Sequence, residues 1–86
     1  MAKYDALRRL LSARPEAAVR VNFSELDAAV GGLPRSARTY REWWDNGSTA
    51  QHPQARAWSE AGFAVDSVDL EREVVHFRRE EQRPRA

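Results

Sequence analysis

The sequence predicts a small α+β domain, and three observations carry that reading. Apolar residues recur at helical spacing in four stretches, residues 3–13, 24–31, 33–46 and 53–61. Residues 18–23, AVRVNF, alternate apolar and polar side chains as a half-buried strand does. Two β-prone runs, 63–70 and 73–79, follow one another near the C-terminal end with only Glu71 and Arg72 between them.

The first helix places Tyr4, Leu7, Leu10 and Leu11 on one side, separates them with Lys3, Asp5, Arg8 and Arg9, and stops before Pro15. In the strand, Val19, Val21 and Phe23 face inward, while Ala18, Arg20 and Asn22 face outward. Ser24 is the expected cap of the second helix, with Asp27 at capping-box spacing, and Gly31-Gly32 ends it.

The stretch around which the chain is organised is LPRSARTYREWWDN, residues 33–46. Pro34 and Ser36 compete to start a helix, and Asn46-Gly47 closes it. At 100° per residue Ala37, Tyr40 and Trp44 share the inner side, and Arg38, Arg41, Glu42 and Asp45 the outer one. Trp43 falls between them as a boundary residue. Residues 47–50 read as a polar linker, and Pro53 opens a fourth helix with Ala57, Trp58 and Ala61 inside, an Arg56–Glu60 pair outside, and Gly62 at its end. In the hairpin, Phe63, Val65, Val75 and Phe77 face the core, and Asp66, His76 and Arg78 face water.

The order of elements is therefore helix, strand, three helices and a C-terminal β-hairpin, a winged-helix-like arrangement with one additional helix. Either residues 35–46 form the recognition helix and 53–61 an insertion, or the later helix takes that place. Residues 1–79 make one domain, and 80–86, lacking apolar side chains, a flexible tail.

Composition narrows the function. Eighty-six residues with a formal net charge of +1 hold one domain without a strong overall field. Cysteine is absent, which removes thiolate chemistry and suits a reducing, cytoplasmic setting. No membrane span or signal peptide is legible. His52 and His76 with scattered carboxylates match no metal-ligand spacing, and the isolated Gly31-Gly32 lacks the features of a phosphate loop, so no cofactor and no enzymatic activity are expected.

What remains is an arginine-rich surface: Lys3 is the only lysine among fourteen Lys and Arg residues. GC-rich codon usage gives the same bias. Read functionally, Arg35, Arg38, Arg41, Trp43 and Asn46 form a DNA-binding face, with Arg56, Arg78 and Arg79 nearby. Arginine serves phosphates, Asn a base edge, and an exposed indole groove contact. The plainer reading pairs Arg38 with Glu42 and Arg41 with Asp45 as an ordinary solvated helix face. An alternative function is protein–protein interaction or homodimerisation through Trp43 and the N-terminal leucines.

Several segments together resemble a family of small, largely uncharacterised bacterial domains. They are Phe23-Ser24-Glu25-Leu26; Leu33-Pro34-x-Ser36-Ala37-Arg38-x-Tyr40-x-x-Trp43-Trp44-x-Asn46; His52-x-Gln54-Ala55-x-Ala57-Trp58-x-x-Ala61-Gly62-Phe63-x-Val65; and Val75-x-Phe77-x-Arg79. The likeness spans residues 4–79, and Phe63 stands where that family carries Trp. The resemblance implies a compact domain, alone or attached to other bacterial modules, and no particular activity.

Overall fold

The structure, a computed structural model, describes residues 3–47 and 52–80; most of the expected 47–50 linker and of the expected tail lies outside them. The elements are α1 (Asp5–Ser12), β1 (Ala18–Asn22), α2 (Phe23–Val30), α3 (Arg35–Thr39), a 3-10 turn (Arg41–Trp44), α4 (Pro53–Glu60), β2 (Phe63–Asp69) and β3 (Val74–Arg79). The fold is α+β. No helix among the described residues is long and apolar enough to cross a membrane.

The three strands form one antiparallel sheet in the order β1-β3-β2. Register follows the alternation in the sequence: Val19, Phe77 and Val65 line up across the sheet, as do Val21, Val75 and Val68. These are the core-facing rows, and all six side chains are buried. A bulge between Val65 and Ser67 leaves Asp66 without a partner on β3 and keeps both rows in phase.

α1 buries Leu7 and Leu11 and packs against α2 and α4. The leucines proposed for a partner are thus spent inside: Leu7 and Leu11 are in the core, and Leu10 is packed against it. α2 starts two residues earlier than Ser24 would dictate. Asn22 occupies the cap position, and Glu25 reaches back to accept its N–H at 3.1 Å. Asp27, freed from capping, accepts from the Leu33 N–H instead. Gly31 ends α2 in the left-handed conformation, φ 78°.

The single helix expected over residues 35–46 is absent. Pro34 precedes α3 with ψ 157°, so the helix begins at Arg35, and it stops after five residues at Tyr40, which is extended at φ −120°, ψ 126°. Two local features favour the break. The Thr39 hydroxyl donates back to the Arg35 carbonyl at 2.9 Å, a contact that bends helices. The Trp44 indole N–H donates at 2.8 Å to the Ala37 carbonyl, the acceptor that a continued α-helix would give to the Arg41 N–H.

Resetting the chain at Tyr40 lets both adjacent indoles approach the core. Trp44 lies stacked between Phe23 (5.2 Å between ring centroids) and Trp58 (6.0 Å). Trp43 is half-buried and edge-on to Tyr4, Trp44 and Trp58. Tyr40, expected inside, is turned out and 59% exposed.

Candidate functional site

The arginines of residues 35–41 do not share a face. Arg38 donates to Asp27 on α2 and, at 2.8 Å, to Glu73 in the hairpin turn, and its guanidinium lies over the Phe23 ring at 5.8 Å. Neither it nor Arg41 forms the expected pair with Glu42 or Asp45. Arg41 reaches the Val68 carbonyl on β2 at 2.8 Å. Both guanidinium groups tie one element to another, Arg38 from within α3 and Arg41 from the 3-10 turn that follows it.

Asn46 is likewise engaged within the fold. Its Oδ1 accepts from the Val65 N–H at 2.8 Å and from the Trp58 indole N–H at 3.0 Å, while its Nδ2 donates to the Val65 carbonyl at 2.9 Å. The side-chain amide thus acts as one link of an additional strand along the outer edge of β2. Arg41 covers the same edge at Val68, so the edge offers fewer unpaired backbone groups to another chain. Trp43, packed as described, is not free to enter a groove.

The other expected contacts are dispersed. Arg56 pairs with Glu60 at 3.0 Å on the outside of α4, as its spacing indicated. Arg78 lies 3.6 Å from Asp66. Arg79 points toward the helix-covered side, with its guanidinium 4.6 Å from the centre of the Phe63 ring and a hydrogen bond of 2.7 Å to the Arg14 carbonyl. Of the eight, only Arg35 is exposed with no side-chain partner among the described residues.

What the structure does assemble is the face of the sheet turned away from the helices. The register places Arg20, His76 and Ser67 in one row, Ala18, Arg78 and Ala64 in the next. Arg20, His76 and Arg78 are exposed, and Arg20 has no side-chain partner among the described residues. Beside them a groove of about 300 Å³ is lined by Arg20, Asp69, Arg72, Val74 and His76. Val74 is a buried apolar residue of this groove, and Arg72 reaches its nearest carboxylate, Asp69, only at 3.9 Å. Arg20 and His76 were legible as outward strand residues; their conjunction with Arg72 depends on the order β1-β3-β2, which no local pattern reveals.

A family model for a domain of unknown function, DUF7662, matches residues 4–80. The chain belongs to the DUF7662 family. No curated protein and no solved structure matches it. The DUF7662 match covers every element from α1 to β3, so the whole sheet and its helical layer are one family unit.

A second cleft of this DUF7662 domain, about 240 Å³, lies between α1 and α4 and is lined by Tyr4, Asp5, Arg8, Pro53, Arg56, Ala57 and Glu60. Partial burial there pushes the Tyr4 phenol above its ordinary pKa. Its cations are already balanced, because Glu60 accepts from Arg56 and lies 3.9 Å from Arg8. Among the described residues no group of three or more His, Cys, Asp or Glu side chains is placed to hold a metal ion.

Proposed function

We propose that this domain is a non-enzymatic, cytoplasmic DNA-binding module that contacts duplex phosphates through the open face of its sheet. The observation that carries the reading is the groove bordered by Arg20, Arg72 and His76, in which, among the described residues, the Arg20 guanidinium forms no ion pair, Asp69 in the same lining being the carboxylate nearest to Arg72. Arginine presents two parallel donors to a phosphate, and the cleft between strands and turn keeps those donors together.

The same reading treats the architecture as winged-helix-like. Its support is the order β1-β3-β2 and the packing of α1 against both α2 and α4. Of the two registers, it favours the one with α4, which runs into the hairpin, in the place of the second helix of a helix-turn-helix, and with α3 and the 3-10 turn inserted before it. The outward side of α4 carries the Arg56–Glu60 pair, so its charge is balanced, and the sheet face takes the phosphate contacts. Binding is consequently backbone-led, with little base readout.

The test is titration of a labelled duplex at several salt concentrations. Two or three phosphate contacts give a log–log slope of roughly −2 to −3. Arg20→Ala with Arg72→Ala reduces its magnitude by about 2. Binding that is absent, insensitive to salt, or unchanged in the double variant rejects the reading.

A second reading, a protein-interaction or homodimerising module, is favoured by one observation. Among the described residues Tyr40 is the large apolar side chain left exposed, at 59%, and tyrosine is a frequent interface anchor. This replaces the surface expected from Trp43 and the leucines. Light scattering at two protein concentrations is expected to show a concentration-dependent dimer that Tyr40→Ala dissolves. A monomer at both concentrations removes the homodimer form of this reading.

A further inference from the structure

Asn46 is followed by Gly47, and that dipeptide is chemically labile in an open chain because glycine puts no side chain in the way of ring closure. The Gly47 backbone nitrogen attacks the Asn46 side-chain carbonyl carbon and forms a new C–N bond. The bond from that carbon to Nδ2 breaks, the Gly47 amide proton passes to the departing nitrogen, and ammonia leaves. Water then opens the cyclic imide at either carbonyl, giving aspartate or isoaspartate at position 46.

In the folded chain both reacting groups are occupied. The Asn46 amide holds three hydrogen bonds, to Trp58 and to both backbone groups of Val65, at 2.8–3.0 Å. The Gly47 N–H donates to Asp45 Oδ1 at 3.0 Å. Ring closure requires Asn46 to leave the β2 edge and Gly47 to leave Asp45, so the reaction waits for local opening.

We propose that Asn46 is a deamidation site gated by the fold, and that its conversion is a one-way record of past unfolding. The products cannot restore the lock. A carboxylate in place of the amide still accepts from Trp58 and Val65, but it sets an anionic oxygen where Nδ2 met the Val65 carbonyl at 2.9 Å. Isoaspartate also inserts a methylene into the backbone beside the 3-10 turn. A chain that has opened for long enough is left less able to close.

The experiment incubates the full chain, native and in urea, at one pH and temperature. Ammonia release and isoaspartate are followed by peptide mass spectrometry. The native chain is expected to react at least roughly tenfold more slowly than the chain in urea, in proportion to its opening. Gly47→Ala slows the signal at position 46 roughly tenfold or more in both conditions and locates it, because the added methyl hinders ring closure; in the folded chain the added Cβ meets nothing closer than Asp45 Oδ1 at 3.4 Å. Deamidated chain, purified and returned to buffer, is expected to unfold at lower urea than its parent. Equal rates in native and urea samples, a signal at position 46 that keeps its rate in Gly47→Ala, or an unchanged unfolding midpoint overturns the proposal.

Discussion

Replacing Trp58 with alanine is expected to cost about 3–5 kcal/mol, a large share of the total stability of a domain this size. Trp58 is 1% exposed and touches both halves of the core. Its ring stacks on Trp44, meets Trp43 edge-on and lies 5.7 Å from Phe77 on the central strand. Its indole N–H also holds the Asn46 amide. Removal therefore opens a cavity and releases a hydrogen bond at once. Urea unfolding followed by far-ultraviolet circular dichroism measures the loss. A change below about 1 kcal/mol would mean that the aromatic stack is not what joins α4 to the sheet.

The second large effect is expected at a residue that looks dispensable by exposure. Asn46→Ala removes both acceptor contacts and the donor, and leaves the buried Trp58 N–H without its partner. Stranding a buried donor costs about 1–3 kcal/mol, and the sheet-edge contacts add to it, for a total of about 2–4 kcal/mol. The variant also uncovers Val65 on the outer edge of β2, so self-association that rises with protein concentration is expected with the destabilisation. Asn46→Asp separates the two contributions, because it keeps the acceptors and loses only the donor. Stability of Asn46→Ala within 0.5 kcal/mol of the parent would show that water replaces the amide at no cost.

The sheet was readable because its pattern is local and repeated. Val19, Val21, Phe63, Val65, Val75 and Phe77 face inward as alternation dictates, while Arg20, His76 and Arg78 face out. Helices α1, α2 and α4 were likewise set by stripes and stop signals such as Gly31 and Gly62. Residues 35–46 were not, because periodicity assumes an unbroken helix. The break comes from contacts that compete with the backbone: Thr39 on Arg35, and Trp44 on Ala37. Shifting the phase at Tyr40 turned the expected core tyrosine outward and recruited Arg41 and Asn46 as internal ties, while Arg38, ahead of the break, is tied by carboxylates of α2 and the hairpin turn.

Those ties reach Asp27, Glu73, Val68 and Val65, partners up to 35 positions away, which spacing alone cannot supply. Arginine-rich composition indicated a nucleic-acid surface, but it could not distinguish a guanidinium that holds the fold together from one left to a ligand. Arg38 and Arg20 mark that difference. One is shared between two carboxylates, and the other pairs with none among the described residues.

The strand order has a consequence for synthesis on the ribosome. β3 is the middle strand and also the last element in the described chain, so β1 and β2 emerge as two orphans with no mutual pairing. The helices can collect around their indoles earlier, but hydrogen bonding across the sheet waits for residues 74–79 to clear the exit tunnel. Sheet assembly is in that sense deferred until its middle strand has emerged, and a nascent chain halted at the hairpin turn holds all the aromatic residues but Phe77 and no sheet at all.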